Sequence, residues 1–358
     1  MNVPIETQAA RTAVRGLPPG YFALVMATGI VSIATKDRGI DAVSVALLWL
    51  SAFEYLVLVV LYAWRATAFR AQVWADLADP SQAFAYFTFV AATCVLGTRL
   101  ASDRHHWIAV ALLCVGGSAW LILGYLIPWT AIIANDRRPL LQLANGTWFI
   151  WAVGSQSVAV LSASLEPSVI TGRQELALVA VFAWSVGVFL YVAAGVSVGV
   201  RLLTHPVAPT DLTAPYWVAM GATAITVVAG AQIAQMADAP MVNATAGLVA
   251  GASVFFWAFG SWLIPPLIAI GIWRHVVHRI PLRYEAALWS MVFPLGMYAV
   301  GGRHLGQVDE LPVVAAIGNG ETWVALGVWS ATFLAMLAHL VHSIVIEPRR
   351  RGRPQLPG

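Results

Sequence analysis

Side chains that can do chemistry are rare in the apolar stretches of this sequence, and several of them recur at regular intervals. Thr28, Thr93, Ser155 and Thr223 stand seven residues after an aromatic residue in four separate apolar runs, and Gly296 takes that place in a fifth. A hydroxyl offers one donor, so such a column could hydrogen-bond a partly dehydrated anion. The competing role is local: Ser and Thr bond back to their own helix, and small residues let helices approach closely. Gln156, next to Ser157, adds polar atoms at the depth of Ser155. Four residues after each aromatic stand Val25, Val90, Ala152, Met220 and Phe293. Phe293 belongs to the stretch WSMVFPLGMYAVGGR, Trp289 to Arg303, which is apolar yet broken by one proline and three glycines. Such breaks are tolerated at membrane depth where neighbouring helices or a water-filled cavity satisfy the freed backbone groups. Phe293 with Pro294 is therefore a candidate gate. Its alternative role is to fill the space that Pro294 and Gly296 open between helices.

The ionisable candidates are fewer. Glu54 lies midway along an apolar run, where an ionised carboxylate costs a few kcal/mol or more. It could carry a proton in a coupled transporter or bond a neighbouring helix, and its position on an even-numbered run favours the second. His275 with His278, and His339 with His342, are spaced to share a helix face. Two imidazoles alone do not make a metal site, so neither metal nor cofactor is expected. Arg303, His304, Asp309, Glu310 and Glu321 cluster at one end of the last two runs, where Arg303 could attract anions or pair with an acid. The sequence has no zinc-protease helix, no phosphate-cradling glycine loop and no nucleophile with a matching base, so an enzyme is not expected. The basic residues are scattered at helix ends, so neither is nucleic-acid binding.

The elements that must position these groups are membrane helices. The chain is 59% apolar and 10% charged, with a mean hydropathy of +0.77, against a charged fraction near ~25% for soluble domains. Runs of about 20 apolar residues predict ten crossings at 17–36, 43–64, 83–101, 107–129, 145–165, 176–200, 215–237, 245–273, 286–307 and 321–346. This makes one transmembrane domain, 17–346, between an N-terminal segment, 1–16, and a basic tail, 347–358. No cleavable leader is expected, since Arg11 and Arg15 precede the first run without a small-residue cleavage site. Cys94 and Cys114 lie inside apolar runs and suggest neither a disulfide framework nor a thiolate site. Of the 20 lysines and arginines, fourteen fall on the side holding both termini. The positive-inside rule then makes both termini cytoplasmic, with Arg349–Arg353 as a stop signal or a contact for anionic lipid.

The odd-numbered runs repeat. Their aromatics Tyr21, Tyr86, Trp148, Tyr216 and Trp289 are separated by 65, 62, 68 and 73 residues. Positions three apart share a helix face, so the two columns would form adjacent layers on five parallel helices. The expected architecture is all-α: ten helices as five hairpins around an axis along the membrane normal, with the partly positive N-termini of the odd helices converging on one vestibule.

Gly20 to Gly29 (GYFALVMATG), Asn145 to Phe149 with Gln156 to Val158, Ala214 to Trp217 with Met220 to Ala222, and Trp289 to Gly296 resemble the tellurite-resistance and dicarboxylate transporter family. That family includes plant slow anion channels, sulfite efflux pumps and malate transporters. The resemblance covers about residues 16–346, and the Phe293-Pro294 pair is its most specific piece. It implies ten helices in five hairpins, a central pore lined by the odd helices, Phe293 as an occluding gate, and a homotrimer.

The expected function is passage of small inorganic or organic anions across a cell inner membrane through a central pore gated at Phe293. A proton-coupled carrier or efflux permease for a dicarboxylate, sulfite or a tellurium oxyanion is the alternative.

Overall fold

A computed structural model of the chain describes residues 5–342 apart from 136–138, 170, 237 and 238. Arg137, Arg138 and the basic tail with Arg349–Arg353 lie outside the described residues. Apolar runs in lipid must satisfy every backbone group internally, and the regular structure among the described residues is helical. The helices are α1 (Ile5–Arg15), α2 (Ala23–Asp37), α3 (Asp41–Ala68), α4 (Arg70–Leu77), α5 (Phe87–Ser102), α6 (His106–Ile127), α7 (Phe149–Leu165), α8 (Arg173–Thr204), α9 (Val218–Ile233), α10 (Pro240–Ile272), α11 (Trp289–Val308) and α12 (Pro312–Val341). Eight helical segments among the described residues are long and apolar enough to cross a membrane. The two long helices outside that set are α2, with 15 residues, and α11, which contains Arg303 and His304.

Burial sorts these segments into two classes. In the segments containing α5, α7 and α9, 83–89% of the most apolar window is buried; in those containing α3, α6, α8, α10 and α12 the share is 17–39%. The residues of α2 and α11 are likewise almost all buried. Consecutive helices pack as pairs, α2 on α3, α5 on α6, α7 on α8, α9 on α10 and α11 on α12. The inner members then pack α2 on α5, α5 on α7, α7 on α9, α9 on α11 and α11 back on α2, which closes a ring.

Four inner helices are entered through a tight 3-10 turn, Ala83–Tyr86, Gly146–Trp148, Ala214–Trp217 and Ala286–Leu288. The repeated aromatics sit at these junctions. Trp148 Nε1 donates to Pro80 O at 2.9 Å, and Trp289 Nε1 donates to the Tyr284 hydroxyl at 3.1 Å. That hydroxyl lies 3.2 Å from the Tyr21 hydroxyl and so ties the last pair to the first. Arginines on the same face join successive pairs. Arg65 bonds Asp76 at 2.6 Å and Tyr86 at 3.1 Å, Arg201 bonds Asp211 at 3.3 Å, and Arg274 donates to Leu212 O at 3.0 Å. These links give the basic residues of one face a structural task beyond orientation.

Helix backbones approach closely in the last pair. A Cβ on Gly318 would stand 2.5 Å from Arg303 N and 2.6 Å from Ala299 O, and one on Gly306 would stand 2.4 Å from Ala315 N. Backbone cannot yield as a flexible side chain can, so α11 and α12 pack this closely only through glycine. Gly318→Leu is expected to cost at least ~1–3 kcal/mol of stability by overpacking. Thermal unfolding of the purified variant in detergent checks it, and a midpoint equal to the parent's would refute the reading.

Candidate functional site

The five inner helices surround a small cavity of ≈ 20 Å³, room for about one water molecule. Its wall has two full layers. The first is Ile30, Val95, Ser157, Ile225 and Met297; the second is Ile33, Thr98, Val160, Val228 and Val300. Each helix contributes residues i and i+3, which share a face. Gln232 and His304, about one turn further along α9 and α11, complete the lining.

These layers keep the repeat that the aromatics announce but change its phase. On α2, α5, α7 and α9 the lining residues come nine and twelve places after the aromatic; on α11 they come eight and eleven places after Trp289. At about 100° per residue, the hydroxyl column at the seventh place points away from the axis. Thr28 accepts from Trp329 Nε1 of α12 at 3.1 Å, and Thr93 lies 3.0 Å from the Tyr55 hydroxyl of α3. Ser155 donates to Ala183 O of α8 at 3.0 Å, and Gln156 Nε2 donates to Trp184 O at 3.1 Å. Thr223 bonds Met220 O and faces Gly260 of α10, where an added Cβ would lie 2.4 Å from its hydroxyl oxygen. Gly296 abuts Ile30 of α2. The column joins inner helices to their neighbours and is absent from the cavity wall. Val25, Val90, Ala152 and Met220 are fully buried, each one residue short of the position a turn below the first layer.

The one-residue offset of α11 treats Phe293 differently. It lies four and seven residues before Met297 and Val300 and so shares their face. The corresponding positions on the other inner helices hold Met26, Ala91, Val153 and Gly221. Phe293 is 1% exposed. Its neighbour Pro294 fills a notch on α9, where a Cβ on Gly221 would come 2.7 Å from the proline ring.

Glu54 is 7% exposed on α3. Its carboxyl oxygens have no partner in hydrogen-bond geometry, and Thr28 is the hydroxyl beside it. It is absent from the cavity wall. At the far ends of the inner helices, away from the chain's first residues, polar groups hold the ring together. His304 Nε2 lies 3.0 Å from Asp37 Oδ2, Ser164 donates to Gln232 Oε1 at 3.2 Å, and Arg303 donates to Asn319 at 2.7 Å. Arg99, 1% exposed, donates to Ser32, Ser44 and Asp103, and Lys36 also bonds Asp103. Burial pushes the Asp103 carboxyl up, but the hydrogen bonds and charges of Lys36 and Arg99 outweigh it and hold it below the usual range. This clamp is therefore complete above the ordinary carboxylate pKa and is lost as the pH falls through the lowered value. No group of three His, Cys, Asp or Glu side chains suited to a metal occurs among the described residues. His275 bonds Ile280 O, and His339 packs on Tyr284.

Sequence reasoning missed the two lining layers. Their signal was present as aliphatic pairs three residues apart that recur with the aromatic period, Ile30 with Ile33, Ile225 with Val228, and Met297 with Val300.

Comparison with known proteins identifies the family. The sequence profile of the voltage-dependent anion channel family matches residues 16–337. An uncharacterized membrane protein of Mycobacterium tuberculosis is 68% identical over 156 residues, 44% of this chain and 79% of its own length. An uncharacterized transporter of Methanocaldococcus jannaschii is 24% identical over 329 residues, 90% of this chain and 92% of its own. The chain belongs to the voltage-dependent anion channel family.

Proposed function

We propose that this member of the voltage-dependent anion channel family conducts small anions along the axis of its inner ring, with Phe293 closing the path. The observation that carries the reading is the layer at Phe293, where one bulky ring stands at the level of Ala91 and Gly221. An aromatic in a layer otherwise made of Met26, Ala91, Val153 and Gly221 can occupy the axis and exclude water, and a dewetted apolar neck is a barrier to ions. The inner helices all begin on one face and present their partly positive N-termini there, which favours anions without a buried cation at the axis. In this reading α2 and α11 also cross the bilayer, giving ten crossings in five hairpins. At 1.5 Å per residue α2 spans only ~22 Å, which suffices because its neighbours, and not lipid, surround it. Both termini are cytoplasmic in a cell inner membrane, and the apolar outer helices serve lipid and the contacts of a homotrimer.

The test is current or flux through the purified protein in planar bilayers or liposomes under opposed gradients of chloride, nitrate, sulfite and malate. A current reversing near the equilibrium potential of one of these anions supports the channel. No anion-dependent flux in any gradient refutes it.

One observation favours a second reading, a proton-coupled carrier or efflux permease for a dicarboxylate, sulfite or a tellurium oxyanion: the buried carboxyl of Glu54 has no bonded partner. Its distance from the cavity wall favours the channel. Glu54→Gln is therefore expected to leave flux within about twofold of the parent and independent of pH, since it keeps the shape of a side chain that is absent from the cavity wall. Loss of a pH-driven, saturable uptake in the variant would establish the carrier.

A further inference from the structure

The arginines near the ends of three outer helices are not equally compensated. Arg65 and Arg201 pair with Asp76 and Asp211. Arg274, just past the end of α10, instead donates through Nη1 to the carbonyls of Pro209, Thr210 and Leu212, and no carboxylate pairs with it among the described residues. A guanidinium bonded only to carbonyls keeps its full charge. Its side chain helps to line a pocket of ≈ 550 Å³ between α10, the turn into α9 and the start of α11, a size within the ~300–1,000 Å³ of small-molecule sites.

The α10 wall of this pocket is graded. Leu267, Ile270, Gly271 and Arg274 recur at i, i+3, i+4 and i+7 and so share a face. Over ~10 Å of helix that face runs from apolar to cationic. Pro265 and Pro266 interrupt the hydrogen-bond ladder of α10 just before it, and a π-helical turn, Trp273–Val277, follows it. Trp217 and Met291 add apolar wall, and Arg283, in the segment between α10 and α11, adds a second guanidinium. The lining thus holds two guanidiniums against one carboxylate, Glu285, and no salt bridge joins Glu285 to either among the described residues. Ile268, Ile272 and Leu282 belong to the same wall and are exposed, so apolar surface continues outward from the pocket toward lipid.

We propose that this pocket holds one anionic phospholipid, its singly charged phosphodiester headgroup at Arg274 and Arg283 and an acyl chain along Leu267, Ile270 and Gly271. A free phosphate would leave the apolar wall bare, and a lipid without net charge would leave the arginines without an anion. The basic tail, with Arg349, Arg350, Arg351 and Arg353, has the same sign of charge as the pocket and does not complement it. Basic pockets between membrane helices at the headgroup level suit anionic lipid. No residue of this wall lines the axial cavity, so the site stands whatever the axis conducts.

The experiment uses the full chain, purified in detergent and freed of lipid, with dioleoyl phosphatidylglycerol, dioleoyl phosphatidylcholine and inorganic phosphate as probes. Binding is read as a saturable rise in the thermal unfolding midpoint, and mass spectrometry of the intact protein counts bound lipid. Phosphatidylglycerol is expected to half-saturate at a concentration about fivefold or more below phosphatidylcholine, the effect of one charge near a headgroup. Arg283→Gln should raise the phosphatidylglycerol half-saturation about fivefold. Gly271→Leu should raise it about tenfold or more by filling the apolar wall, the scale of overpacking; an added Cβ there meets open space, so the fold tolerates the change. Gly251→Leu, also on α10 and also facing open space but outside the pocket, should leave binding unchanged. No saturable phosphatidylglycerol effect in the parent, or parent-like binding in either Arg283→Gln or Gly271→Leu, overturns the site. Equal half-saturation by the two lipids overturns the anionic class. A phosphate effect of the same size that Arg283→Gln abolishes makes the ligand a free anion and overturns the lipid. A multi-chain mass of the lipid-free parent that Gly271→Leu or Arg283→Gln reduces to a single chain places a second copy in the pocket and overturns the lipid as well.

Discussion

Replacing Phe293 with alanine should raise anion flux by about tenfold or more, a barrier lowered by ~1.4 kcal/mol for each factor of ten. The substitution removes the one large ring from a layer whose other members are Met26, Ala91, Val153 and Gly221. Nothing at Ala91 or Gly221 reaches far enough to refill the space, so the neck would widen and wet. Phe293→Leu should give a smaller rise, and Phe293→Trp none. If the ring only packs helices together, the result differs in kind: Phe293→Ala would lower stability by ~3–5 kcal/mol and leave flux per folded molecule unchanged. Flux normalised to folded protein, with thermal unfolding of the same samples, separates the two.

The largest loss of stability is expected from Asp76→Ala. Arg65 is 2% exposed and Asp76 4%, and Tyr86, Gln72 and the Arg15 carbonyl supply further bonds around them. Removing the carboxylate strands a buried guanidinium, which typically costs ~3–5 kcal/mol. Asp76→Asn keeps one acceptor and should lose less. Arg65→Met combined with Asp76→Leu should recover much of the loss, because a well-packed apolar pair replaces a buried ion pair at little cost. Thermal unfolding in detergent ranks the three. An Asp76→Ala protein within ~1 kcal/mol of the parent would show that Arg65 reaches solvent despite its burial.

Hydropathy made the long helices legible, and the aromatic spacing made the repeat legible, because both are properties of the chain that survive folding unchanged. Tyr86, Trp148 and Tyr216 do sit at equivalent junctions. The phase was not legible, because the inner helices are apolar on every side: one side faces the axis and the others face neighbours, and hydropathy cannot say which is which. Thr28, Thr93, Ser155 and Thr223 looked like a path because polar atoms are conspicuous in apolar runs, yet their partners Trp329, Tyr55, Ala183 and Gly260 all belong to outer helices. Phe293 shares the face of Met297 and Val300 because α11 is offset by one residue. The start of α12 shows the other limit: Gly318 falls outside the crossing expected at 321–346, but α12 begins at Pro312, and glycine at 318 permits the close approach to α11.

The wall between the last and first pairs is joined by Tyr284 with Tyr21, His304 with Asp37, Trp329 with Thr28, and Gly296 with Ile30. These partners are the most distant in sequence that the molecule brings together, and synthesis proceeds from the N-terminus. The ring of inner helices therefore closes only once the final hairpin has been made. That seam is the last part of the ring to be made, and α11, the helix that bears Phe293, forms one of its two sides.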